Sequence, residues 1–139
     1  HMDELRLIES IAESRQERVK IGLRLNFDTG FTEPWSRFGF NLESGQALEA
    51  IKYISRSNYL KLTGLHSHIG TFVLQAKAYG QQVRILCDLM RELESMPNVD
   101  IQSLDIGGGF PSRNALQSIY LPPEQAVPPI SDYADAVCE

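Results

Sequence analysis

Asp100 to Pro111 reads DIQSLDIGGGFP. Its first seven residues read as a β-strand that runs straight into Gly107-Gly108-Gly109 and then Phe110-Pro111. Three backbone N–H groups without side chains can approach an anion and curl around it. A phosphate is the usual guest. The plainer account is a tight turn that tolerates glycine. The anion account gains weight here because the glycines follow an apolar strand ending in Asp105.

Two earlier segments repeat the pattern. Val19 to Phe27 (VKIGLRLNF) carries Val19, Ile21, Leu23 and Leu25 on one face, and Leu60 to His68 reads LKLTGLHSH. Strand starts therefore recur about every 40 residues, leaving room for one crossover helix each. Helical spacing fills those gaps. Leu5, Ile8, Ile11 and Ala12 mark a helix over 3–14. Ala47, Leu48, Ile51 and Ile54 mark one over 44–55. Val83, Leu86, Leu89, Met90 and Leu93 mark one over 75–95, broken by Pro97-Asn98. Positions 28–41 read as a loop, and so does the proline-rich span 111–129. A last helix starts at Ser131, with that serine as cap and Tyr133, Ala134 and Val137 following.

This order predicts an α/β fold with parallel strands. An open doubly wound sheet and a (β/α) barrel both fit. A closed barrel needs eight strands and ~250 residues, so the barrel reading makes this chain an incomplete fragment of three consecutive βα units. Residues 3–139 form one partial domain, and His1-Met2 reads as a cloning scar. Three barrel strands have two unpaired edges and are expected to turn an apolar face to a missing interior, which predicts self-association.

Composition narrows the function classes. The chain is 42% hydrophobic and 22% charged, with net charge −5 and no basic runs, which argues against a nucleic-acid partner. No apolar stretch approaches the roughly 20 residues of a membrane span, and the start does not resemble a signal peptide. Cys87 and Cys138 stand apart, in neither a disulfide framework nor a CxxC site. Cys87 reads as a small buried residue, and a reducing, cytoplasmic setting follows.

All three strands end in polar or glycine-rich clusters: RLNFD (24–28), HSHIGT (66–71) and DIGGGFP (105–111). Parallel α/β folds place their sites at the C-terminal ends of strands, so the clusters share one rim. His66 and His68 are two apart and share a face. They could be a metal pair, or one could stack on a flat cofactor, or both could be ordinary satisfied histidines. Arg24 could pair with a carboxylate or phosphate or be a solvated rim residue. In the following loop, Phe38 and Phe40 alternate with small residues, and Trp35 reads as a core anchor without a catalytic role.

RLNFD, SRFGF, GLHSHIGT and LDIGGGFP, in this order and spacing, resemble the fold-type III pyridoxal-phosphate decarboxylases, the group of diaminopimelate, ornithine and arginine decarboxylases. The resemblance runs from about Val19 to Pro111. It implies the central part of a barrel resembling that of alanine racemase, pyridoxal phosphate as cofactor, an amino-acid substrate and a homo-oligomer. By the same resemblance, His68 matches the histidine that stacks on the pyridine ring, and Thr71 a hydroxyl residue near the cofactor phosphate. Gly107, Gly108 and Gly109 match the phosphate-binding loop. Arg24 matches an arginine beneath the cofactor, Asp105 an aspartate leading to the loop, and His66 the first histidine of the diaminopimelate branch. The family's AVKAN lysine and EPGR motif have no match among Lys20, Lys52, Lys61, Lys77 and their surroundings, so no catalytic residue is assigned and the fragment is expected to be inactive alone. Two other functions compete: a metal-dependent barrel hydrolase using His66 and His68, and a non-catalytic module that binds a phosphate compound.

Overall fold

The computed structural model describes residues 1–112 and 121–139. Its elements run α1 (Met2–Arg15), β1 (Val19–Asn26), β2 (Phe40–Asn41), α2 (Gln46–Arg56), β3 (Leu60–Ser67), α3 (Ala76–Leu93), β4 (Val99–Asp105), α4 (Pro123–Ala126) and α5 (Ile130–Cys138). All pairings are parallel, in the order β2-β1-β3-β4. The three expected strands are present. The fourth, β2, lies in the segment read as loop. It pairs Leu25 with Phe40 and Asn26 with Asn41. Positions 113–120 of the span read as a proline-rich loop lie outside the described residues, and a short helical turn, α4, follows them. No helix of the described residues is long and apolar enough to cross a membrane.

The sheet carries two register slips, and both are legible in residue spacing. Lys20 pairs with Lys61 but Gly22 pairs with Gly64, so Thr63 is an extra residue in β3. Leu62 pairs with Val99 but Gly64 pairs with Ser103. Apolar residues accordingly step by two and then by three, as Leu60, Leu62, Leu65 in β3 and Val99, Ile101, Leu104 in β4. A bulge at each step keeps Leu65 and Leu104 on the helix-covered face; without it they would swing to the other side.

That covered face holds the main core. Leu23, Leu25, Leu60, Leu62 and Leu65 pack under Ala47, Ala50, Ile51 and Ile54 of α2 and Leu86, Leu89 and Leu93 of α3. In α2 the buried stripe is 47, 50, 51 and 54, and Leu48 faces solvent. In α1 only Leu5 and Ala12 are buried; Ile8 and Ile11 are exposed. Tyr53 and Ser57 both donate hydrogen bonds to Glu9, which ties α1 to α2. Ser131 does not cap α5. The N-cap position is Pro129, and the Ser131 hydroxyl contacts Asp132 instead. Cys87 is half-buried and Cys138 exposed, and both are free thiols.

The opposite face of the sheet is polar, which corrects the expected apolar interior surface. By strand alternation it carries Lys20 and Arg24 of β1, Lys61 and His66 of β3, and Asp100 and Asp105 of β4. Lys61 Nζ donates to Asp100 Oδ2 at 2.6 Å. A middle row of Gly22, Gly64 and Ser103 separates these charges from the C-terminal rim. A Cβ at Gly64 would lie 2.8 Å from Ser103 Oγ, so a side chain there would require the Ser103 hydroxyl to turn away.

The phase of α2 yields a direct stability test. Ile51→Ala should cost about 2–5 kcal/mol by emptying a fully buried site, whereas Leu48→Ala should stay within about 0.5 kcal/mol. Urea unfolding of the two variants checks this, and comparable losses would place the helix in the other phase.

Candidate functional site

The C-terminal ends of β1, β3 and β4 bring Arg24, His66 and Asp105 into one row: Arg24 pairs with His66, and His66 with Asp105. His68 follows β3, and the three glycines follow β4. The expected residues of all three clusters therefore do meet at one rim. Their roles divide in a way the sequence does not disclose.

Asp105 shapes the glycine loop. Its Oδ1 accepts the Gly107 N–H at 2.8 Å. That bond, the largest influence, holds the Asp105 carboxyl below the ordinary carboxylate range against burial, with the neighbouring His66 adding a smaller pull in the same direction. His66 Nδ1 stands 3.0 Å from Asp105 Oδ2. The approach lies off the direction of a good hydrogen bond, so this buried nitrogen has a charged neighbour but no hydrogen-bond partner among the described residues.

His68 reads the next peptide. The Gly108 N–H donates to His68 Nδ1 at 3.3 Å. An accepting Nδ1 puts the proton of the neutral ring on Nε2. Burial, then Arg24 and His66, push the His68 pKa below its ordinary value of 6.5, which keeps the ring neutral. Trp35 meets this ring edge-on at 6.0 Å between centroids. Trp35 is 36% exposed, so it roofs the rim and does not anchor the loop in the core.

The anion account of the glycines narrows accordingly. Two of the three N–H groups already have acceptors inside the protein, Asp105 and His68. Only the Gly109 N–H lacks a partner among the described residues. Gly107 and Gly109 adopt left-handed backbone (φ 71 and 98), and a Cβ there would lie 2.9 Å from Ser67 O or 2.1 Å from Gly70 O. A Cβ at Gly108 would meet nothing within 4 Å.

Arg24 supplies positive charge at the same rim. Its Nε is buried and unpartnered among the described residues, and its guanidinium lies 5.2 Å from the Phe38 ring centre. Asn26, absent from the expected set, fixes the loop that carries Phe38. Its Nδ2 donates to Phe38 O and Gly39 O, and its Oδ1 accepts from Asn41. Thr71 is exposed and lines a cleft of about 320 Å³ together with Trp35, Gly70 and Phe72. The metal account of His66 and His68 needs a third ligand, and no metal-binding group of three His, Cys, Asp or Glu side chains gathers among the described residues.

Sequence reasoning also passed over Tyr79 and Gln82 of α3. Tyr79 donates from its hydroxyl to Gly108 O at 3.1 Å. Gln82 Nε2 donates to Ser67 O, Ser67 Oγ and Ile106 O at 3.1, 2.7 and 3.0 Å. Their signal was available: positions 79, 82, 86, 89 and 93 form one buried stripe, and two of its members are polar.

Comparisons with known proteins show the family and the fold. The family model described as "Pyridoxal-dependent decarboxylase, pyridoxal binding domain" matches residues 1–138. A diaminopimelate decarboxylase of Aquifex aeolicus is 30% identical over 95% of this chain and 31% of its own length. One of Bacillus methanolicus is 28% identical over 89% of this chain and 31% of its own. The crystal structure of diaminopimelate decarboxylase from Methanocaldococcus jannaschii superposes with a TM-score of 0.76 at 25% identity, over 98% of this chain and 31% of that one. The chain thus spans about a third of the length of the relatives it matches.

The bond from Gly108 to His68 predicts a pH dependence. The depressed pKa means that stability from the neutral ring is present above 6.5 and lost as pH falls through the lower folded value. Arg24 and His66 oppose protonation, and Asp105 is the nearby anion. In NMR titrations the His68 ring and the Gly108 amide should therefore move together, with a midpoint below 6.5. A Gly108 amide that ignores the His68 titration would break the proposed link.

Proposed function

Because the chain belongs to the pyridoxal-dependent decarboxylase family, as its pyridoxal binding domain, we propose that it is the cofactor-holding part of an amino-acid decarboxylase. The parent enzyme is a carboxy-lyase, and the form of the activity is that of the diaminopimelate decarboxylases it resembles. One arrangement carries the reading. The Gly109 N–H, the Arg24 guanidinium and the neutral His68 ring converge on a single rim.

These groups suit a phosphate ester on a flat aromatic ring. Gly109 offers a backbone donor to phosphate oxygen, and exposed Thr71 adds a hydroxyl nearby. Arg24, with a buried Nε that has no partner among the described residues, supplies a positive charge for an acidic partner. His68, held by Gly108, supplies an aromatic face that stays uncharged. Asp105 fixes the loop from the end of β4 through the Gly107 N–H, with His66 beside it on β3. Bound pyridoxal phosphate supplies an electron sink for the pair left when an amino acid loses its carboxylate.

This chain brings no lysine to the rim. Lys20 and Lys61 pair with each other near the opposite end of the sheet, and Lys52 and Lys77 lie on α2 and α3. Binding is accordingly non-covalent, and the chain alone is inactive. The parent is a cytoplasmic homo-oligomer acting on an amino acid.

Pyridoxal phosphate titrated into the protein should give saturable binding in phosphorus NMR. Borohydride treatment should fix no cofactor at the rim. Gly108→Val should remove binding with little change in stability, since the loop has room for a side chain there but the ligand does not. Undiminished binding by that variant would separate the phosphate site from this loop.

A further inference from the structure

We propose that Tyr79 and Gln82, on the helix behind the sheet, are positioning residues that aim the Gly109 N–H, the one N–H of the glycine loop without an acceptor among the described residues. The inference rests on the reading of that loop as a phosphate site. It concerns residues that touch neither phosphate nor substrate.

The argument follows the loop one peptide unit at a time. A trans peptide is planar, so its C=O and the next N–H point in opposite directions; the described residues contain no cis bond. In the unit joining Ile106 to Gly107, Gln82 holds the carbonyl and Asp105 holds the N–H. In the unit joining Gly107 to Gly108, His68 holds the N–H. In the unit joining Gly108 to Gly109, Tyr79 holds the carbonyl. The carbonyl of Gly109 then accepts the Val73 N–H at 2.9 Å. Tyr79 pulls the Gly108 carbonyl toward α3, so the Gly109 N–H must face the other way, out of the core.

Both residues are built to hold rather than to react. Tyr79 is fully buried, stacks on Phe110 at 4.5 Å with a 9° interplanar angle, and meets Tyr133 edge-on at 5.5 Å. Burial, and then Tyr133, push its hydroxyl pKa up to about 12, so it stays a donor. Gln82 is fully buried, and its amide orientation is forced. Nε2 faces two carbonyl oxygens, which only a donor can satisfy. The two side chains are one helical turn apart, so a single rigid element sets both grips.

The test uses hydrogen exchange of the glycine amides, followed by phosphate titration, on the whole chain. Tyr79→Phe keeps the ring stack and loses only the hydroxyl. Gln82→Met keeps the volume and loses the amide. Tyr79→Phe should lower Gly108 amide protection roughly tenfold, and Gln82→Met should do the same at Gly107, with Leu62 and Leu65 unchanged. Inorganic phosphate and pyridoxal phosphate should each bind roughly three- to tenfold more weakly to either variant. Tyr133→Phe is the control. It loses a buried hydrogen bond to Val73 O in the same cluster, but no bond to Gly108. It should lower the melting temperature without the exchange signature. Unchanged glycine protection in Tyr79→Phe and Gln82→Met overturns the proposal, as does equal loss in Tyr133→Phe. Lost protection in a protein that takes up neither phosphate probe leaves the positioning role standing and removes the phosphate reading instead.

Discussion

The two strand ends that carry the site are held together by one amide group. Gln82 Nε2 is shared between the Ser67 carbonyl at the end of β3 and the Ile106 carbonyl just beyond β4. Both carbonyls belong to residues that follow the last register pair between β3 and β4, His66 with Asp105, so that ladder has no further bond to offer them. Leaving either one unpaired in the core costs about 1–3 kcal/mol, so the buried glutamine replaces the ladder at the point where the sheet ends. The geometry of the rim follows from it. The separation of His68 from the glycine loop is the separation of two strands joined at their ends by a side chain from α3.

The sheet itself has two unlike faces. One is sealed by α2 and α3 over leucine and isoleucine. The other presents Lys20, Lys61 and Asp100 near one end, small residues in the middle, and Arg24, His66 and Asp105 at the other. Lys61 and Asp100 pair across it and His66 stands against Asp105, while Arg24 keeps a buried Nε without a partner among the described residues. The middle row has a geometric use. With Gly22, Gly64 and Ser103 between them, the two charged rows stay separate, and the rim keeps its own electrostatic balance.

Much of this was legible in the chain. Periodicity located β1, β3, β4 and the long helices, and the three strand-end clusters marked the rim. The failures have physical causes. β2 is two residues long and forms because the Asn26 side chain draws the 38–41 backbone against β1, an interaction that no local pattern announces. Ser131 has the residue type of a cap, but Pro129 already occupies the extended position before α5. Trp35 reads as a core residue by size and ends as a roof over His68. The polarity of the open face was visible in the alternation of Lys20, Arg24 and Lys61 with leucine and isoleucine. A barrel interior is expected to be apolar, and that expectation outweighed the residues.

The triple glycine shows how one motif can hold three residues with different duties. As sequence, GGG offers three equivalent N–H donors. In the structure the three residues do different work. Gly107 is glycine because Ser67 and His68 crowd it, and Gly109 because Gly70 O lies where its Cβ would be. Both requirements come from the protein's own packing, and both use left-handed backbone that other residues rarely adopt. Gly108 alone has open space before it and no positive φ, so the fold itself places no demand for glycine there. A Cβ at 108 would meet none of the described residues within 4 Å. Its N–H is held by His68, and the next N–H, that of Gly109, has no acceptor among the described residues. Among the described residues, nothing in the packing asks for glycine at 108, which sets it apart from both its neighbours.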